Sequence, residues 1–115
     1  MKRYSIGLIA AVTALLASDA DGLSGNSLYL MCQGKTGVDI LTCQSYITGF
    51  LDGMFIGSVT GRAGNVKYCP PEKGVSAEQG QAIVKKYLVE HQGALHGDAG
   101  HLASLALIEI YPCPK

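Results

Sequence analysis

The side chains in this sequence that could do chemistry are four cysteines, three histidines and a scatter of carboxylates. Cys32, Cys43, Cys69 and Cys113 form no C-x-x-C pair, so neighbouring cysteines cannot make a zinc ribbon or a dithiol motif. Their even count leaves no odd thiol to act as a nucleophile. His91, His96 and His101 follow one another at five-residue intervals, not at the i, i+4 separation that puts two zinc ligands on one helix face. Glu78, Glu90 and Glu109 stand apart, so no acid–base couple is paired in sequence. The sequence contains neither a G-x-S-x-G elbow nor a phosphate-cradling glycine loop. These residues point away from an enzyme, and no metal or cofactor is expected. The cysteines read instead as cross-links.

Cross-links need an oxidising compartment, and the start of the chain supplies a route to one. Lys2 and Arg3 precede an uncharged, mostly apolar run from Ile6 to Ala17. Ser18-Asp19-Ala20 then presents small residues where a signal peptidase reads. The run is shorter than the roughly 20 apolar residues of a spanning helix. Residues 1–20 are therefore expected to be a cleaved secretory signal. Residues 21–115 are expected to form a single domain, with no membrane segment after cleavage.

Removing Lys2, Arg3 and Asp19 leaves 7 Lys/Arg against 8 Asp/Glu. That balance lacks the basic face that nucleic acid demands. A domain this small buries limited apolar area, so its disulfides should carry a large share of its stability.

Periodicity predicts an all-α domain. Ser24 can cap a helix over Asn26–Gln33, ending at Gly34. Asp39 can cap a second, with Ile40, Cys43, Ile47, Phe50, Leu51 and Met54 on one face. Ser76-Ala77-Glu78-Gln79 is a capping box for a third. Ile83, Val84, Tyr87 and Leu88 form its stripe, and Gly93 suits its stop. Asp98 can cap a fourth helix that turns Ala99, Leu102, Ala103, Leu105, Ala106 and Ile110 inward, with Pro112 and Pro114 closing it. The stretch from Gly61 to Gly74 reads as a long loop, in which Val66-Lys67-Tyr68 makes a short extended piece.

Four helices in this order make two hairpins. Cys32 ends one helix and Cys43 opens the next. Cys69 precedes the second hairpin and Cys113 follows it. This layout selects Cys32–Cys43 and Cys69–Cys113 from the three possible connectivities. Gly49, Gly53 and Gly57 recur at four-residue intervals on one face of the second helix. Each costs roughly 0.5–1 kcal/mol relative to Ala in a helix. Such a stripe suggests close packing, first against another helix of the same chain, otherwise against a twofold mate. Asp52 is expected at the surface or half-buried, since an unpaired buried carboxylate is costly.

The segment Cys43-Gln44-Ser45-Tyr46-Ile47-Thr48-Gly49-Phe50-Leu51-Asp52-Gly53 resembles the C-x-x-Y-I-x-G-x-x-D-G signature of the Rap/Tai family of type VI secretion immunity proteins. Cys69-Pro70, Gln79 or Gln81, Val84 with Tyr87-Leu88, His91, Ala103 with Ala106-Leu107, and Tyr111-Pro112-Cys113 follow in the family's order. The chain departs from the pattern at Gln92-Gly93, where a proline after the histidine is common.

The resemblance implies a small, disulfide-bonded, all-helical periplasmic protein, often a homodimer. Its expected partner is a cell-wall amidase effector, whose active site it blocks. The same superfamily contains the acid-stress chaperone HdeA, so a periplasmic chaperone is the alternative function, beside a structural module. That alternative sits poorly with only 16% charged residues. A doubly stapled core can hold a loop in one shape and so lower the ordering cost of binding. Two loops are candidates for partner contact. Gly61–Lys67 presents Arg62, Asn65 and Lys67, and His91–Asp98 presents His91, Gln92 and His96.

Overall fold

The computed structural model describes residues 22–59 and 67–115. The expected signal, residues 1–20, lies outside that range. So does most of the first candidate loop, including Arg62 and Asn65.

The described chain forms four helices: α1 Gly25–Gln33, α2 Gly37–Val59, α3 Ala77–Glu90 and α4 Ala99–Ile110. A short 3-10 turn over Gln92–Ala94 joins α3 to α4. No strand occurs among the described residues. Two isolated antiparallel bridges, Ser24 with Asp98 and Tyr68 with Pro112, tie connecting segments together.

Each helix start follows from local hydrogen bonding. Ser24 caps α1, its Oγ accepting from the Ser27 N–H at 3.2 Å. The next two free amides of α1 find carbonyls elsewhere. Gly25 N–H donates to Gly97 O at 2.8 Å and Asn26 N–H to Leu95 O at 2.7 Å. The α3–α4 turn thereby caps α1, which satisfies donors that every helix leaves over. Thr36, not Asp39, caps α2: its Oγ1 accepts from the Asp39 N–H at 3.1 Å. Asp39 instead sits in the first turn, where its charge suits the positive end of the helix dipole. At α3 the expected capping box is complete, with Gln79 N–H to Ser76 Oγ at 3.1 Å and Ser76 N–H to Gln79 Oε1 at 3.2 Å. Asp98 is the N-cap residue of α4 but makes no side-chain capping bond. Ala99 N–H donates to Leu23 O at 2.8 Å instead.

The end of α3 corrects one expectation. The helix stops at Glu90, short of Gly93, because side chains take up its last carbonyls. His91 Nδ1 lies 2.8 Å from Tyr87 O, and Gln92 Nε2 donates to Leu88 O at 3.2 Å.

The core draws one narrow stripe from each helix. Leu28 and Cys32 of α1 meet Cys43, Ile47 and Leu51 of α2, Val84 and Leu88 of α3, and Leu102 and Leu107 of α4. Ala99, Ala103 and Ala106 are fully or nearly fully buried and leave room for the other helices to sit close to α4. Ile40, Leu105 and Ile110, expected inside, are exposed. Ile40 lies one turn before Cys43, the first buried residue of α2. Ile110 is in the last turn of α4, and Leu105 falls beside the stripe rather than on it.

Both disulfides form as expected. Cys32–Cys43 has its Cα atoms 5.0 Å apart and Cys69–Cys113 has them 4.8 Å apart, within the usual range for the bond. The first joins the α1–α2 hairpin; the second closes the α3–α4 hairpin at its open end.

Candidate protein-binding surface

Of the first candidate loop only Lys67 is described, and it stands apart from the second. Lys67 lies near the start of α3, and His91, Gln92 and His96 lie beyond its other end. The 14 residues of α3 separate them by roughly 21 Å at the helical rise. One compact contact centred on either end does not include the other.

The turn carrying His91 is already occupied with holding the fold. Leu95 is buried, and its carbonyl and that of Gly97 cap α1. The His91 ring stacks on Tyr87 with centroids 3.8 Å apart. Gln92 and His96 are exposed. His101 is exposed one turn into α4. Among the described residues no group of three or more His, Cys, Asp or Glu is placed to hold a metal ion.

The other end is built differently. A groove of about 240 Å³ runs between α2 and the segment leading into α3, lined by Leu51, Asp52, Phe55, Tyr68, Lys73 and Val75. Leu51 and Tyr68 form a buried floor, and Phe55 stands exposed at the rim. Asp52, Glu72 and Lys73 put charges of both signs around it, and all three are exposed. The groove falls below the volume usual for small-molecule sites. It has the size and lining to seat a side chain of a protein partner, an apolar centre with a polar rim.

Tyr68 is held from three sides. Its ring meets Tyr111 edge-on with centroids 6.4 Å apart. Its neighbour Cys69 donates its N–H to Tyr111 O at 2.9 Å and is bonded to Cys113. Burial raises the Tyr68 pKa above 10.0, and nearby Tyr111 raises it further. The hydroxyl therefore stays protonated well into the alkaline range. Lys67, the residue next to this anchor, is exposed.

A second apolar surface lies on the far side of α2. Val38, Leu41, Ile56 and Val59 are all exposed, and Gly49 and Gly53 lie between them. A Cβ added at Gly49, Gly53 or Gly57 would meet no atom of the described residues within 4 Å. The expected intramolecular crossing over this stripe is therefore absent from the described structure. The reason is angular. Cys43, Ile47 and Leu51 take the core face of α2, and Gly49, two residues from both Ile47 and Leu51, falls about 200° away. Close approach occurs at two glycines that sequence reading did not single out. A Cβ at Gly80 would sit 2.6 Å from Leu51 Cδ1, and one at Gly25 would sit 2.7 Å from Leu95 O. An isolated glycine inside the helical pattern that follows the Ser76 capping box was the available signal for Gly80.

Residues 24–113 match the family model of the Rap1a immunity proteins, from the cap of α1 to the last cysteine. The chain belongs to the Rap1a immunity protein family. No curated protein and no solved structure matches it. Membership implies a protein partner, and the part of an inhibitor rather than a catalyst. On this Rap1a-family chain, the exposed apolar side chains at the groove rim and along α2 are of the kind that mark interaction surfaces. No helix among the described residues is long and apolar enough to cross a membrane.

Proposed function

We propose that this protein is a periplasmic immunity protein that binds a type VI secretion peptidoglycan amidase effector and blocks its active site. Family membership supports the immunity role. Two disulfides support an oxidising compartment, and the pattern of residues 1–20 supports export with cleavage near Ala20.

The observation that carries the reading is the locked segment at Tyr68–Cys69. A buried ring, a backbone hydrogen bond and a disulfide fix Tyr68 and Cys69, which follow Lys67, beside an open groove. Such an anchor cuts the ordering cost of presenting a loop to a partner. Arg62, Asn65 and Lys67 then make the main contact, with Phe55 seated against the partner at the groove rim. His91, Gln92 and His96 lie at the opposite end of α3 and serve at most a second, separate contact. The outward face of α2, with Val38, Leu41, Ile56 and Val59, is the surface for a second copy of the chain.

The test is inhibition of any cell-wall amidase found encoded beside this gene, assayed on peptidoglycan with purified residues 21–115. Arg62→Ala with Lys67→Ala should weaken inhibition at least about tenfold, equivalent to about 1.4 kcal/mol, and leave the melting temperature unchanged. Full inhibition by this double variant would remove the 61–67 loop from the interface. A neighbouring amidase that the unaltered protein does not inhibit would refute the immunity reading against that class of effector. Sedimentation of the same protein reads the homodimer, which Ile56→Asp should dissociate.

A further inference from the structure

The two disulfides stand in opposite surroundings. Cys32 and Cys43 are 5% and 0% exposed, sealed among the core residues of α1 and α2. Cys69 is exposed and Cys113 half-buried, in two extended segments outside the helices. Pro71, Glu72 and Lys73 on one segment and Pro112, Pro114 and Lys115 on the other are also exposed. No helix has to open for a thiol to reach Cys69. Reaching Cys32 or Cys43 requires the helices of the first hairpin to part. Exposure of this kind distinguishes disulfides that exchange from those that only brace a fold.

The geometry points to Cys69–Cys113 as a thiol–disulfide exchange site for a protein dithiol, with Cys69 as the attacked sulfur and Cys32–Cys43 as the inert brace. One thiolate of the dithiol attacks Cys69 Sγ. The Cys69–Cys113 bond breaks, a mixed disulfide forms at Cys69, and Cys113 leaves as a thiolate that takes a proton from water. The second thiol of the reductant, deprotonated to solvent, attacks its partner sulfur and releases the Cys69 thiolate, which is protonated. The pair has then gained two electrons, and the reductant has lost two and closed its own disulfide.

Exchange has a structural consequence. With the bond open, the Tyr68–Pro112 bridge and the Cys69 N–H bond to Tyr111 O are left to hold the segment in place. Tyr68 is part of the groove floor. Reduction at this one site loosens the groove while the first hairpin keeps its own cross-link. The chemistry is independent of the immunity reading, because neither the attack nor its readout involves an effector.

The experiment uses the folded, oxidised mature protein and two reductants. In the first arm, limiting dithiothreitol is followed in time by iodoacetamide alkylation and peptide mapping. Cys69 and Cys113 should be alkylated at least about tenfold faster than Cys32 and Cys43. Equal rates, or Cys32 and Cys43 first, would overturn the proposal. In the second arm, a reduced C-x-x-C oxidoreductase lacking its resolving cysteine should trap a mixed disulfide on Cys69. A trap on Cys113, or no trap, overturns the assignment of a protein dithiol attacking Cys69. Hydrogen exchange reads the consequence: the Cys69 amide should lose protection on reduction while α1 and α2 keep theirs. Simultaneous loss in α1 and α2 would show global unfolding and refute the local release.

Discussion

Alanine at Gly80 and alanine at Gly53 should move stability in opposite directions. Both glycines lie inside helices, so both variants gain about 1 kcal/mol of helix propensity. At Gly53 nothing among the described residues lies within 4 Å of the new methyl group. The gain is kept, and about 1 kcal/mol raises the melting temperature of a domain this size by roughly 4–8 °C. At Gly80 the new Cβ comes 2.6 Å from Leu51 Cδ1, 3.1 Å from Ile47 Cγ2 and 3.3 Å from Leu51 Cγ. Leu51 can turn away only by giving up its place in the core. Ile47 is β-branched, 1% exposed and stiff at χ1. Overpacking of this kind costs about 1–3 kcal/mol, so the net effect is a loss of up to about 2 kcal/mol. The assay is thermal unfolding followed by circular dichroism, at a concentration where sedimentation shows monomer. A stabilised Gly80→Ala variant would refute the packing of α3 on α2. A destabilised Gly53→Ala monomer would refute the open face of α2.

Three further outcomes test other parts of the structure. Cys69→Ala with Cys113→Ala should cost about 4 kcal/mol by loop-closure entropy over 44 residues, against about 3 kcal/mol for Cys32→Ala with Cys43→Ala over 11. The second pair adds lost core packing, and urea unfolding of the two double variants reads both sums. Alkaline pH should destabilise the fold through Tyr46 and Tyr68. Burial raises both pKa values above 10.0, and Asp98 adds to the first and Tyr111 to the second. Because the unfolded chain releases these protons first, this stabilisation is fully present below about pH 10 and is lost as pH rises through the folded values. The urea midpoint of the unaltered protein should therefore fall more between about pH 9 and 11 than that of Tyr46→Phe with Tyr68→Phe; parallel curves would contradict it. Ser76→Ala should cost about 1 kcal/mol by breaking the α3 capping box, again read by urea unfolding.

Much of the scaffold is legible from local chemistry. Ser24 and Ser76 are followed by helices because their hydroxyls satisfy amides three residues on, a relation contained in the sequence. The disulfide pairing followed from helix order, since each hairpin brings its own two cysteines together. Even Asp52, expected at or near the surface, is exposed. Where local signals compete, the reading slipped. Thr36 and Asp39 can both cap a helix, and Thr36 does so because α2 starts at Gly37, three residues before the Ile40 start that an Asp39 cap would give. Gly93 looked like a stop, yet His91 and Gln92 end α3 by bonding the carbonyls of Tyr87 and Leu88.

By itself, then, the sequence determined the fold class, the cross-links, the family and the compartment to be expected. All of these rest on composition, on spacing or on ordered motifs. Tertiary structure alone decided which glycines are crowded, which apolar residues stay in water and where His91, Gln92 and His96 stand. A helix with apolar residues on several faces does not say which face its neighbours will cover. Packing α1, α3 and α4 on Cys43, Ile47 and Leu51 settled that for α2, leaving Gly49, Gly53, Ile56 and Val59 outside. The same packing put Tyr68 in the floor of a groove and capped α1 with Leu95 and Gly97. It thereby separated the turn that caps α1 from the open groove at the other end of α3.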